Sequence, residues 1–243
     1  MKRFFAIFVA LVFAGNAFAW STVGHKIVIA IAQRHLTEKA KENIAKYIDY
    51  DLKRDAVWMD KHRNDKEIAY TTHYHTFATD KSLHYDPNYR LGKCDVVYAL
   101  ALTDYNLSNG KYQNLTDSAV VFNIRMIIHF MGDMHCPVHI AFPKDIHPSP
   151  NIHNNGKKVN YHTFWDTSLG HDGRNKWPYE KITAVIDVLS EEEIKAIQAG
   201  TLEEWSQDII EIGHRAWEIV PPGTNVGELT KEQKKEIFEH TSK

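Results

Sequence analysis

Apolar residues recur at helical spacing through most of the chain. The segments with this pattern are residues 27–36, 94–107 and 119–128. An apolar residue every three or four positions predicts a helix, whereas strand-like alternation is short and scarce here. We therefore expect an all-α fold, a single multi-helix domain. The exception is the stretch 143–160, where the turn signal Asn154-Asn155-Gly156 predicts a short hairpin or loop.

The first 19 residues have the pattern of a secretory signal peptide. Lys2 and Arg3 precede an apolar run over residues 4–15, and Ala17-Phe18-Ala19 is a small-residue cleavage pattern. The apolar run is too short for a spanning helix, and the rest of the sequence contains no other candidate membrane span. The sequence thus predicts an exported protein, periplasmic or extracellular, whose mature domain covers residues 20–243 and begins at Trp20.

The charge balance restricts how a phosphate-bearing partner could be held. Hydrophobic residues make up 43% of the chain and charged residues 25%, as in globular proteins. Loss of Lys2 and Arg3 with the signal peptide takes the net charge from −2 to −4. This excludes a broad basic surface of the kind that grips nucleic acid. A phosphate would have to be bound locally, by metal or by one or two basic side chains.

Cysteine is rare and histidine is abundant, with 2 Cys and 15 His in the chain. An exported protein can form a disulfide between Cys94 and Cys136, and two buried thiols are the alternative. A zinc site in this chain would accordingly use nitrogen and oxygen ligands.

Histidine and aspartate stand four residues apart inside an apolar segment. His129 and Asp133 would project from one face of a helix, one turn apart. Pro137 should end that helix and turn His139 toward the same side. Imidazole and carboxylate groups are ligands that zinc accepts. A buried hydrogen bond within the helix is the alternative interpretation.

The same spacing occurs again at His162 and Asp166. The tetrapeptide Tyr-His-Thr-Phe around His162 also occurs at residues 74–77, where it contains His75, with His73 two positions earlier. The coincidence suggests similar aromatic surroundings for His75 and His162.

Two further segments offer polar groups next to apolar residues. Cleavage before Trp20 would expose an α-amino group that can bind metal with the first carbonyl, and His25 follows in the first turn of a predicted helix. A frayed terminus is the alternative.

Asp60 follows Trp58 and Met59, and Arg63 shares its helix face. A surface ion pair is the default for such a pair, but a partly buried carboxylate needs a partner or a metal.

Four motifs together resemble the zinc-dependent single-strand-specific nucleases of fungi, plants and bacteria, and more distantly the bacterial zinc phospholipases C. They are W-x4-H at the mature N-terminus, W-x-D-x2-R at 58–63, H-F-x-G-D-M-x2-P-x-H at 129–139 and N-x-H-x2-W-D at 160–166. The resemblance implies a helical fold and three zinc ions. The first ion would be held by Asp60, His75, His129 and Asp133. The second would be held by His139, His162 and Asp166. The third would be held by the amino and carbonyl groups of Trp20, by His25, and by Asp133 as a bridge.

The resemblance also implies a reaction. Two close zinc ions would activate a shared water that attacks phosphorus. Asp60 would orient or deprotonate this water, and Arg63 would bind the phosphoryl oxygens. The implied function is hydrolysis of single-stranded DNA and RNA to 5′-nucleotides, together with 3′-nucleotidase activity. The implied partner is therefore a single-stranded nucleic acid or a 3′-nucleotide, and no stable protein partner is implied.

Some positions depart from the family pattern. Thr76 and Ala78 follow His75, where the family usually has an aromatic residue and then Asn or Asp against the nucleobase. A register using His73 would place Tyr74 and Thr76 there instead; the spacing from Asp60 favours His75. Two other functions stay open: a phospholipase-C-like phosphodiesterase on the same metals, and a non-catalytic exported protein with structural zinc.

Overall fold

Helices make up most of the computed structural model, which describes residues 22–48, 51–86, 95–147 and 151–242. The α-helices within these ranges are α1 (Thr22–His35), α2 (Glu38–Ala45), α3 (Trp58–His62), α4 (Val96–Leu107), α5 (Asp117–Met134), α6 (Tyr161–Asp166), α7 (Tyr179–Ile186), α8 (Glu191–Gln198), α9 (Leu202–Ile219) and α10 (Lys231–Thr241). Short 3-10 segments connect several of them. The predicted all-α fold class is confirmed.

Within the described ranges the strands form two small sheets. The strands are β1 (Phe77–Ala78), β2 (Ile140–Ala141), β3 (Ile152–Asn154) and β4 (Lys157–Val159). β1 and β2 are parallel, whereas β3 and β4 form an antiparallel hairpin. Asn155 and Gly156 at its tip have φ values of 49° and 80°, the left-handed conformation that a two-residue type I′ turn requires. The hairpin predicted around this turn signal is confirmed.

The longest apolar segment, α5, lies between two core clusters. Met126, Phe130 and Met134 pack with residues of α4 and α9 in one cluster. Ile124 and Ile128 pack in another, against α1 and the segment after α2. Two faces of the helix are therefore apolar and buried, and a stripe of the helix surface remains between them. That stripe carries His129 and Asp133.

Local sequence sets both ends of α5. The Thr116 hydroxyl oxygen accepts a hydrogen bond from the Ala119 amide at 3.3 Å and caps the first turn. The helix ends at Met134, and Pro137 follows three residues later. Proline has no amide hydrogen to continue the helix, so the predicted end of the helix near Pro137 is confirmed.

The β3–β4 hairpin and α6 pack together on the C-terminal helices. Ile152 of β3 and the aromatic residues Tyr161, Phe164 and Trp165 of α6 are buried with residues of α9 and α10. This packing fixes the position of α6, which carries His162 and Asp166.

Several expectations concern residues outside the described ranges. The signal peptide over residues 1–19, the terminal Trp20 and the partner thiol Cys94 lie there, and they stay predictions. Within the described ranges no disulfide is present, and no helix there is both long and apolar enough to cross a membrane.

Candidate metal centre

The helical spacing of His129 and Asp133 brings their side chains together as predicted. His129 Nε2 lies 3.3 Å from Asp133 Oδ2, and both side chains are buried. His25 approaches from α1: its Nε2 lies 3.4 Å from Asp133 Oδ1, and its ring stacks on the His129 ring with centroids 4.3 Å apart. Each oxygen of the Asp133 carboxylate therefore faces the Nε2 atom of one of two stacked imidazoles.

A glycine allows this approach of α1 to α5. A Cβ at Gly132 would lie 2.8 Å from His25 Nδ1 and 3.1 Å from His25 Cε1. The sequence motif contained Gly132, but only the structure shows that it makes room for His25.

Asp60, at the third position of α3, completes this first group. Its Oδ1 lies 3.8 Å from His129 Nε2, and the side chain is mostly buried. Arg63 follows directly after α3, and its charge acts on Asp60. The Asp60 carboxylate thus faces a buried histidine and is not at the open surface.

A second group forms around His139. Its Nε2 lies 3.1 Å from His162 Nε2, and His162 Nε2 lies 3.3 Å from Asp166 Oδ2. The His139 Nδ1 atom lies 3.8 Å from Asp133 Oδ1, so the two groups adjoin at Asp133. The residues that the family resemblance assigns to the second ion lie together in the structure.

His75 is exposed and lies beside this second group. Its ring is 5.7 Å from the His139 ring, centroid to centroid. The parallel pairing of Phe77 with Ile140 draws the chain around His75 toward His139. Of the two registers that the sequence left open, this contact favours His75 over His73. Its assignment to the first ion, with Asp60 and His129, stays a prediction.

Burial shifts the pKa values of the groups in the centre so that each group favours its uncharged form. It raises the pKa of Asp133 to about 7, although His129 acts to lower it. It raises the pKa of Asp60, against the lowering effects of His25 and Arg63. It lowers the pKa of His162 to about 4, and burial with the neighbouring His162 lowers that of His139 well below its ordinary value. Neutral histidines beside carboxylates that are costly to ionise favour a bound cation.

Buried polar atoms in the centre lack hydrogen-bond partners within the described part of the chain. These atoms are Asp60 Oδ2, both carboxylate oxygens of Asp133, and His139 Nδ1. Most buried polar atoms in proteins are hydrogen-bonded, so a cluster of such atoms requires an explanation. Metal coordination is one, because it occupies the lone pairs of oxygen and nitrogen ligands.

Distances within the centre also suit zinc. Zinc–nitrogen and zinc–oxygen bonds of about 2.0–2.2 Å in a tetrahedron place two ligand atoms roughly 3.3–3.5 Å apart. The contacts of Asp133 with His25 and His129 are 3.4 and 3.3 Å, and that of His162 with Asp166 is 3.3 Å. The residues present therefore fit the ion that the motifs imply.

A backbone carbonyl orients His129. The Ala56 carbonyl oxygen accepts a hydrogen bond from His129 Nδ1 at 2.9 Å, which directs Nε2 toward Asp133. Next to Ala56, Asp55 accepts a hydrogen bond of 2.7 Å from Arg125 Nε, and Arg125 is one turn before His129 on α5. Sequence reasoning missed these three residues. The one indication in the sequence was Arg125, a charged residue inside the apolar stretch 119–128 that would need a partner.

Comparison with known proteins agrees with the motifs and the helical fold. The family model described as S1/P1 nuclease matches residues 20–241. The chain belongs to the S1/P1 nuclease family. The resemblance inferred from the four sequence motifs is therefore confirmed.

Relatives of this S1/P1 family member occur in plants and fungi. Endonuclease 2 of Arabidopsis thaliana is 27% identical over 64% of this chain and 58% of its own length. Endonuclease 4 of the same plant is 23% identical over 86% of this chain and 72% of its own length. Nuclease S1 of Aspergillus oryzae is 20% identical over 82% of this chain and 71% of its own length. The match thus covers less than two thirds of the length of Endonuclease 2. These names support a nuclease, a hydrolase.

Proposed function

We propose that the protein is an exported, zinc-dependent phosphodiesterase that hydrolyses single-stranded DNA and RNA to 5′-nucleotides and removes 3′-phosphates from nucleotides. The observation that carries this proposal is the Asp133 carboxylate. It is fully buried without a hydrogen bond from any described residue, and it lies 3.3–3.4 Å from two imidazole nitrogens. Burial of such a group is costly unless a cation offsets its charge.

The ligand assignment has three ions, as in the sequence analysis. The first would be held by Asp60, His75, His129 and Asp133. The second would be held by His139, His162 and Asp166. The third would be held by Trp20, His25 and Asp133. The separate contacts of the two Asp133 oxygens, one with His25 and one with His129, support its role as a bridge. Removal of the signal peptide would supply the free amine of Trp20.

When bound, zinc ions lower the pKa of a coordinated water and offset negative charge on a phosphate. Asp60 Oδ2 accepts a proton from the attacking water, since this buried oxygen has no hydrogen bond within the described residues. Arg63 donates hydrogen bonds to the phosphoryl oxygens as their charge increases. The water oxygen bonds to phosphorus, the bond from phosphorus to the 3′-oxygen breaks, and that oxygen takes a proton from solvent. Asp60 then returns its proton to solvent.

The test uses the chain from Trp20 onward, with a single-stranded oligonucleotide and its duplex as substrates. We expect nucleotide release from the single strand, its loss with EDTA and its recovery with zinc. Asp133→Asn should lower the rate by at least about a hundredfold, since even outer-shell partners of a metal contribute ten- to hundredfold. The matched control is Asp145→Asn, at an exposed carboxylate paired with Lys81, which should leave the rate unchanged.

The outcomes separate the competing functions. Zinc-dependent release of phosphocholine from a choline phospholipid, with no cleavage of the oligonucleotide, would favour the phospholipase-C-like function. Zinc-dependent folding without hydrolysis of either substrate would indicate a structural role for the metal.

A further inference from the structure

Cys136 lies inside the second ligand group, although the sequence offered it only as a disulfide partner or a buried thiol. Its Sγ is 3.8 Å from Asp166 Oδ1. The Cys136 sulfur, an Asp166 oxygen and a His139 ring nitrogen all lie within 4.8 Å of one another, and all three side chains are buried. A sulfur atom thus lies among the nitrogen and oxygen atoms proposed to bind the second ion.

The backbone holds Cys136 in this position. The Cys136 amide donates a hydrogen bond to the Asp133 carbonyl at 3.1 Å, and the Cys136 carbonyl accepts one from the His139 amide at 2.9 Å. These two turns connect the last ligand on α5 with the next ligand along the chain. Their geometry places Cys136 between two proposed metal ligands.

The sulfur–oxygen distance fits shared coordination. A zinc–sulfur bond of about 2.3 Å and a zinc–oxygen bond of about 2.1 Å in a tetrahedron place the two ligand atoms roughly 3.6 Å apart. The observed 3.8 Å is close to this value. A thiol is only a weak hydrogen-bond donor, so donation to Asp166 over such a distance would add little.

A second observation concerns His139. Its Nδ1 atom is buried without a hydrogen-bond partner in the described ranges, and its Nε2 atom faces His162. A thiol and an imidazole with an unsatisfied nitrogen are both zinc ligands, and here they are buried together beside a carboxylate.

We propose that the Cys136 thiolate is a fourth protein ligand of the second ion, beside His139, His162 and Asp166. This inference rests on the proposed zinc centre. Coordination releases the thiol proton to solvent. Four protein ligands close a tetrahedral site, so the second ion is held more tightly and is less open to substrate than an ion with three protein ligands. A coordinated Cys136 is also incompatible with a disulfide to Cys94.

The test is spectroscopic and independent of catalysis. The metal-free chain from Trp20 is loaded with cobalt(II) and its near-ultraviolet absorption recorded, and X-ray absorption is measured on the zinc-loaded protein. We expect a thiolate-to-cobalt charge-transfer band and a zinc–sulfur shell at about 2.3 Å, with about one sulfur for three ions. Cys136→Ser should abolish both signals and weaken binding of one zinc by at least about tenfold. Cys94→Ser, the same change at the other cysteine, should leave both signals intact.

The possible results separate this inference from the proposed function. Bound metal with only nitrogen and oxygen neighbours would overturn the role of Cys136 and leave the metal centre standing. A Cys94–Cys136 disulfide in the metal-loaded protein, detected by mass spectrometry, would do the same. Failure to bind any metal would overturn both proposals. The wild-type spectra decide the question even if Cys136→Ser does not fold.

Discussion

Gly132→Ala should destabilise the protein only while His25 is present. In metal-free protein, the added methyl group would lie 2.8 Å from His25 Nδ1, closer than the 3.4–4 Å of ordinary contact. The His25 ring has little room to move, because it is buried, stacks on His129 and faces Asp133. Overpacking of this kind costs about 1–3 kcal/mol. Replacing glycine by alanine inside a helix returns about 1 kcal/mol, so we expect a net loss of about 1 kcal/mol.

The assay is urea unfolding in EDTA of four proteins: wild type, Gly132→Ala, His25→Ala and the double variant. With the His25 ring removed, the overlap is gone and only the gain in helix propensity remains. Gly132→Ala should then stabilise the protein by about 1 kcal/mol, giving a coupling energy of roughly 2 kcal/mol. Equal destabilisation by Gly132→Ala in both backgrounds would refute the reasoning.

Three further predictions concern groups around and beyond the centre. Asp133→Asn should stabilise the metal-free protein at pH 8 but not at pH 4. Folding raises the pKa of Asp133 to about 7, so ionisation of this carboxyl group opposes folding as the pH rises toward that value. The effect is on the order of 4 kcal/mol at full ionisation, and thermal unfolding in EDTA at the two pH values measures it. Arg125→Met should cost roughly 2 kcal/mol in urea unfolding, because it leaves the buried Asp55 carboxylate without its ion pair. It should also lower the hydrolysis rate at least about tenfold, because Asp55 directly precedes Ala56, whose carbonyl orients the His129 ring. An unchanged rate would show that the Arg125–Asp55 pair does not help to position Ala56. Finally, burial and the neighbouring His214 lower the pKa of His147 to about 4, so stability should fall by about 1 kcal/mol as pH drops from 6.5 toward 4, after allowance for solvent screening. His147→Gln should flatten this part of the curve in pH-dependent urea unfolding.

Local pattern alone predicted the helical fold and part of the centre. Helical periodicity depends on neighbours three or four residues away, so α5, its end before Pro137, and the shared face of His129 and Asp133 could be derived without tertiary contacts. The hairpin at Asn155-Gly156 was predictable for the same reason, since its turn depends on two residues that tolerate positive φ.

The tertiary structure decided how separate segments meet. The approach of His75 to His139 depends on a two-residue parallel pairing, too short to leave a strand pattern in the sequence. The hydrogen bond from His129 to the Ala56 carbonyl involves a backbone atom, which no residue type reveals. Cys136 lies beside Asp166, a residue 30 positions further along the chain, whereas the sequence offered it only as a disulfide partner or a buried thiol. The sequence by itself determined which ligands are available and how they are spaced along each helix. Only long-range packing, which depends on the shapes of both partners, determined which ligands share a site.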